Sequence, residues 1–169
     1  MTGTLLVWDI TGEQPELRHT LELGGQPWHP SFSPDGSELW VPRRTANAVT
    51  VVDAGSWTVD EVLEHPALVE PHGSAVSPDG RRVFVASRNT SGAYGSGDAP
   101  GTVVTFDRES REVVNVVEVG HYATRGDARG VTVSDVPITT MITMTGSGRA
   151  LPAPVPIDFA SKGNGSDVQ

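Results

Sequence analysis

The sequence predicts an all-β fold made of β-propeller blades, each of four antiparallel strands, set in an incomplete, open arc. Three observations predict it. Ser-Pro-Asp-Gly occurs at Ser33–Gly36 and again at Ser77–Gly80, 44 residues on. The same spacing separates Asp9 from Asp53, Pro27 from Pro71 and Arg44 from Arg88. No segment holds a sustained 3.6-residue apolar period, so no helix is expected. A repeat in the low-to-mid forties, built from short β-runs and turn residues, has the length of one blade. Such a blade buries its faces only by stacking on neighbours.

Each element follows from its residues. Ser31-Phe32-Ser33 and Ser74-Ala75-Val76 read as inner strands. Pro-Asp-Gly then turns the chain: proline fixes φ, aspartate bonds its own backbone, and glycine takes the left-handed position. Glu38–Val41 and Arg82–Ala86 are second strands, rich in aromatic and β-branched residues. Ala48–Val52 and Thr102–Phe106 are third strands, closed by Asp53 and Asp107. Thr58–Leu63 and Glu112–Val119 are fourth strands. Ser91–Pro100 adds ten residues between the second and third strands of one repeat, and its Gly/Ser content marks a surface loop. The organisation is a half blade (1–23), two whole blades (30–65 and 74–119), a partial blade (130–144) and a loose Gly/Pro-rich tail (145–169).

Two segments carry a family resemblance. Trp40-Val41-Pro42-Arg43, three residues, then Asn47–Asp53 resembles the YVTN β-propeller repeat, and so does Phe84–Ser87 followed, after the insertion, by Gly101–Asp107. Leu5–Asp9 looks like the tail of a third copy. The resemblance covers about residues 1–134. It departs at Pro42-Arg43 and Ala86-Ser87, where the family has Thr-Asn; these positions end a strand. The repeat is shared by proteins of many activities, so it specifies architecture and leaves function open.

Composition narrows the classes. The chain has 169 residues, no cysteine and a net charge of −9. Disulfides, thiolate metal sites and the Cys-x-x-Cys-His haem attachment are excluded. The acidity argues against a nucleic-acid or anionic membrane surface, and no run has the length of a membrane span. Met1-Thr2-Gly3-Thr4 lacks the basic start of a signal peptide, so the chain reads as cytoplasmic as written; members of the resembled family are commonly exported, so a portion of such a parent would be periplasmic or extracellular. About three blade equivalents are present, whereas closed propellers need roughly four to eight. The expectation is therefore further blades of a parent protein, or self-association in which a second copy completes the ring.

In a blade, the connection into the next inner strand lies on the same rim as the loop joining strands two and three. That rim would gather Trp28, His29, His72, Arg44, Arg88, Arg125 and Arg129, with Trp28, His72 and Arg129 at equivalent places of successive repeats. Arginine and histidine at a channel mouth suit a small anionic ligand, a carboxylate or phosphate; histidine also serves metals and haem iron. The competing structural readings are plain. His29 and His72 would be backbone-bonded loop spacers, Trp28 would pack between blades, and Arg44 and Arg88 would pair with a neighbouring blade's carboxylate. Asp35, Asp79, Asp53 and Asp107 are assigned to turns, His19 and His65 to solvated outer strands, and Trp40 and Phe84 to the core. Asn89-Thr90-Ser91 and Asn164-Gly165-Ser166 fit the glycosylation pattern. No phosphate loop or nucleophile elbow is present, and no catalytic residue is named. The leading reading is a non-enzymatic ligand- or protein-binding module. The alternatives are a haem-binding propeller similar to the nitrite reductase haem domain, with His72 or His29 near the iron, and a lactonase-like propeller hydrolase.

Overall fold

Strands β1 (Thr4–Asp9) and β2 (Glu16–Glu22) pair antiparallel as a two-stranded half blade. The first whole blade is β3 (Ser31–Phe32), β4 (Glu38–Arg43), β5 (Ala48–Asp53) and β6 (Thr58–Glu64), hydrogen-bonded in chain order. The second is β7 (Pro71–Val76), β8 (Arg82–Ser87), β9 (Pro100–Asp107) and β10 (Val113–His121), in the same order. The computed structural model describes residues 3–95 and 99–121. The segments assigned to a partial blade (130–144) and a tail (145–169) lie outside them, as does Asn164.

The turns form as their residues dictate. Asp35 Oδ1 accepts the Ser37 N–H (3.0 Å) and the Ser33 hydroxyl (2.5 Å), and the Glu38 N–H donates to Ser33 Oγ (3.0 Å). Asp79 repeats the set with the Arg81 N–H (3.0 Å) and the Ser77 hydroxyl (2.6 Å). Gly36 and Gly80 take φ of 72° and 70°, a region that costs a side chain energy. Asp53 and Asp107 accept the N–H groups of Ser56 and Ser110 in the turns after the third strands. Five aspartates, Asp9 included, thus hold turns.

Strand alternation sorts the core into two seams. Trp40, Val49 and Val51 on one face of the first blade pack against Val83, Val85, Val104 and Phe106 of the second, with Leu63, Ala67 and Leu68 closing the outer side. The opposite face of the first blade, through Leu39, Val41 and Val52, packs on Leu23, Leu5 and Leu21 of the half-blade side. Near the inner edge, the Ser74 hydroxyl donates to the carbonyls of Trp40 (3.1 Å) and His29 (3.2 Å), and the Ser31 hydroxyl to that of Ser74 (2.6 Å). The two blades are therefore joined by apolar packing and by satisfied polar groups.

Several expectations need correction. A single 3-10 turn, Arg44–Ala46, does occur, closed by Asn47 at φ 52°; three residues are too few to leave a helical period in a sequence. The inner strand of the second blade begins at Pro71, so His72 stands on a strand and not in a loop. Phe84 is half-buried where Trp40 is fully buried, because Val83 and Val85 face the first blade and Phe84 points the other way. His65 follows β6, and its Nδ1 accepts the Ala67 N–H (3.1 Å), so it shapes a turn. Asn89 is fully buried and bonds the Tyr94 and Pro100 carbonyls through Nδ2 (2.9 and 2.8 Å), closing the inserted loop. That engagement removes it as a glycan acceptor.

Candidate functional site

The rim opposite the Ser-Pro-Asp-Gly turns is built by a repeated backbone clasp. Gln26 and Glu70, 44 residues apart, both sit in the left-handed region, at φ 52° and 54°. Their carbonyls accept the N–H groups of Arg44 (3.0 Å) and Arg88 (3.2 Å). One residue earlier, the carbonyls of Gly25 and Val69 accept from Thr45 (2.9 Å) and Asn89 (3.0 Å). The connection into each inner strand is thus tied to the loop between strands two and three. Gly25 is required here: it has φ 65°, and an added Cβ would stand 2.6 Å from Ala46 Cβ.

The clasp delivers three rings to one place. Trp28 follows Pro27, whose bridge to Arg43 and whose neighbour's N–H (Trp28 to the Pro42 carbonyl, 2.9 Å) extend the inner edge of the first blade. In the second blade the β7–β8 register shifts between Pro71 and Gly73, leaving His72 as the extra residue of a bulge. A bulge re-aims its side chain, and here it turns His72 toward its repeat counterpart. Trp28 and His72 stack at 4.5 Å with 21° between ring planes. His29 meets the His72 ring edge-on, at 5.0 Å and 82°. Trp28 also meets His29 edge-on, at 5.7 Å. His72 is buried, Trp28 half-buried and His29 exposed. The cluster therefore runs from interior to solvent through one imidazole at each end.

The cations are arranged differently. Arg44 Nη2 pairs with Glu70 Oε1 at 3.2 Å, both partly buried. This is the neighbouring-carboxylate pairing weighed for it in the sequence, and it spends the charge within the rim. Arg88 is half-buried and held through its N–H. Arg125 and Arg129 lie outside the described residues. Sequence reasoning missed Glu70. Its carboxylate also accepts the backbone N–H and the hydroxyl of Thr90, and its own N–H donates to Asn47 Oδ1 (2.9 Å). Burial pushes the Glu70 carboxyl up, but the Thr90 and Arg44 donors outweigh it and hold it below the ordinary glutamate value. The signal was present in the spacing, which sets Glu70 at the place of Gln26.

Among the described residues no three His, Asp or Glu side chains converge as metal ligands, and no helix is long and apolar enough to cross a membrane. A haem at His72 does not fit this arrangement, because the imidazole is 6% exposed and stacked under an indole, whereas an axial ligand must face the full width of a macrocycle. The arrangement suits a small flat or anionic group laid against Trp28 and His29.

No family model matches the chain, and no curated protein matches it. Among solved structures it is similar to the hydrazine synthase of Kuenenia stuttgartiensis, with a TM-score of 0.53 and 28% identity over 68% of this chain. The chain spans 28% of that structure's length.

Proposed function

We propose that the chain is a non-enzymatic, YVTN-type propeller module that binds a small anionic ligand at the rim. One observation carries the reading: Trp28, His29 and His72, scattered over 45 positions of sequence, are brought ring to ring by the repeat clasp and the β7 bulge. Their chemistry favours a carboxylate on a planar frame, with the indole for stacking and an exposed imidazole for the charge. Fixed aromatic anchors with one polar tip are what a small-ligand site needs.

The test uses nicotinate as a planar carboxylate and acetate as a carboxylate without a ring. Isothermal titration is expected to show nicotinate binding and weaker acetate binding. His29→Ala is expected to weaken nicotinate about tenfold, the worth of one charge-assisted hydrogen bond. Trp28→Ala is expected to bring nicotinate down to the acetate level. No heat with either compound, or binding indifferent to both substitutions, ends the proposal.

A second reading, a portion of a larger enzyme, is supported by the resemblance to a synthase of which this chain spans a minority. A Soret band after haemin incubation would favour the haem alternative within it, and lactone hydrolysis lost in His72→Ala would favour the hydrolase.

A further inference from the structure

We infer that the Ser-Pro-Asp-Gly rim carries a second ligand site, an arginine-lined cavity at the seam of the two whole blades that takes a tetrahedral oxyanion, phosphate or a small phosphate monoester. It lies on the opposite rim from Trp28, His29 and His72 and does not rest on the ligand proposed there.

The cavity has a volume of about 500 Å³. Glu38 lines it from the first blade. Arg81 and Arg82, at the entry to β8, and Arg108 and Arg111, in the turn after β9, line it from the second. Half of the arginines among the described residues therefore meet at one place, the others being Arg18, Arg43, Arg44 and Arg88. This happens in a chain whose net charge is −9.

The blade architecture does not call for these cations. The counterparts of Arg81 and Arg82, 44 residues earlier, are Ser37 and Glu38. Those of Arg108 and Arg111, 54 residues earlier across the insertion, are Ala54 and Trp57. The first blade closes the same turns without them. The Ser37 N–H bonds Asp35 as the Arg81 N–H bonds Asp79, each at 3.0 Å. The N–H groups of Trp57 and Arg111 donate alike to the carbonyls of Asp53 (2.8 Å) and Asp107 (3.0 Å). Side chains laid over a repeat without serving its geometry are where a site is grafted on a fold.

The four differ in how firmly they are held. Arg108 and Arg111 cross the seam to Asp35, Glu38 and Asp60, and their side chains are 22% and 16% exposed. Arg82 pairs with Asp107 of its own blade and is 40% exposed. Arg81 is 81% exposed and reaches only Asp79, at 4.0 Å. The set runs from two fixed guanidinium groups to one loosely held arm in solvent. The fixed end is also unfinished. Arg111 Nη1 is buried and has no hydrogen-bond partner among the described residues. A buried donor left unpaired is costly, and an ion or ligand that accepts from it removes the cost.

The chemistry selects the occupant. Each guanidinium carries five N–H donors in a planar fork that matches phosphate oxygens. Glu38 and Asp107 are already engaged by arginines and hold the forks in place. Glu109, the remaining carboxylate of the lining, makes no ion pair among the described residues and opposes an anion. A tetrahedral oxyanion presents oxygens to donors arriving from several directions, whereas a planar carboxylate presents two in one plane.

The test is isothermal titration of the full chain with inorganic phosphate near neutral pH. Binding is expected, and it should weaken as sodium chloride is raised. Arg81→Ala should weaken it about tenfold, as the loss of one ionic hydrogen bond does. Arg81→Lys keeps the charge without the fork and should weaken it less. Glu109→Gln should tighten it, and His29→Ala should leave it unchanged. Glycerol 3-phosphate separates the two sources: tighter binding than phosphate assigns the site to a monoester, equal or weaker binding to the free ion. Both Arg81 and Glu109 are exposed, so these variants keep the fold. No binding at any attainable phosphate concentration overturns the proposal. So does binding that Arg81→Ala and Glu109→Gln leave unchanged, or binding lost in His29→Ala, which would place the anion on the other rim.

Discussion

The seam between the two whole blades and the seam between the half blade and the first blade use the same repeat positions, yet they exclude water to different extents. The first buries Trp40 and Phe106 almost completely, with rings 5.7 Å apart, inside a cluster of ten buried residues. The second buries four, and Leu5, Leu21 and Trp57 are only half-covered. Leu5, Leu6, Val7 and Trp8 of β1 are no more polar than their counterparts Val49, Thr50, Val51 and Val52; among the described residues the half blade has two strands where the whole blade has four. Burial at a repeat position is thus set by the neighbour as much as by the residue. Trp40→Ala should therefore cost about 3–5 kcal/mol, as for large aromatic truncations in cores. Leu21→Ala, half-covered, should cost about 1 kcal/mol, a fraction of full burial. Urea unfolding of both variants checks the contrast, and equal losses would break it.

The two seams also differ at one turn position. Trp57 and Arg111 are repeat counterparts, each the left-handed last residue of the turn after a third strand, at φ 56° and 63°. Each reaches back onto the preceding blade. Trp57 stacks on His19 of β2 at 5.8 Å, an apolar contact open to solvent. Arg111 pairs with Glu38 (2.5 Å) and Asp60 (3.2 Å) and lies over the Trp40 ring at 5.0 Å. Arg108 adds bonds to Asp35 and Glu38 beside it. Arg111→Ala removes its ion pairs to Glu38, Asp60 and Glu61 and its contact over the Trp40 ring, at a cost of about 1–3 kcal/mol that shrinks in high salt. Trp57→Ala should cost about 1–2 kcal/mol and be indifferent to salt. Denaturation at low and high ionic strength separates them; a salt-sensitive Trp57 variant would remove the distinction.

These pairs show why part of the molecule was legible in the sequence. The Ser-Pro-Asp-Gly turns, the aspartate-closed third strands and the strand order follow from local chemistry repeated at a fixed spacing, and all were read. The rim was read as a place but not as a geometry. His72 stacks on Trp28 because one residue is left over in the β7–β8 register, and a bulge is visible only once two strands are paired. Gln26, Glu70, Trp57 and Arg111 hold left-handed conformations that glycine or asparagine would have advertised. Phe84 was read as core from its likeness to Trp40, and it differs because the face it occupies is turned away from the first blade. Asn89 matched a surface pattern while its amide closes a buried loop end, since three residues of sequence say nothing about burial.

The smallest expected effect concerns acid, and it bears on both seams because the turn aspartates serve every sheet. The Thr11 hydroxyl and N–H, with Arg18, bring Asp9 down to about 2. Arg108 and the Ser33 hydroxyl hold Asp35 well below the carboxylate range. Asp53, Asp79 and Asp107 are held low by the Ser56 N–H, the Ser77 hydroxyl and the Ser110 N–H, respectively. A carboxyl depressed in the folded state stabilises it above the unfolded value, near 3.9, and that contribution fades as pH falls through the folded value. Stability should therefore be flat from neutral pH to about 4 and decline between about 4 and 2. Asp35, Asp53 and Asp79 are exposed and Asp9 and Asp107 only partly covered, so the decline should be shallow and weakened further by salt. Asp35 spans the whole-blade seam through Arg108, whereas Asp9 is bonded only within the half blade. Asp35→Asn should thus flatten the acid decline in circular dichroism more than Asp9→Asn does, and the reverse order would show that the half blade governs acid unfolding.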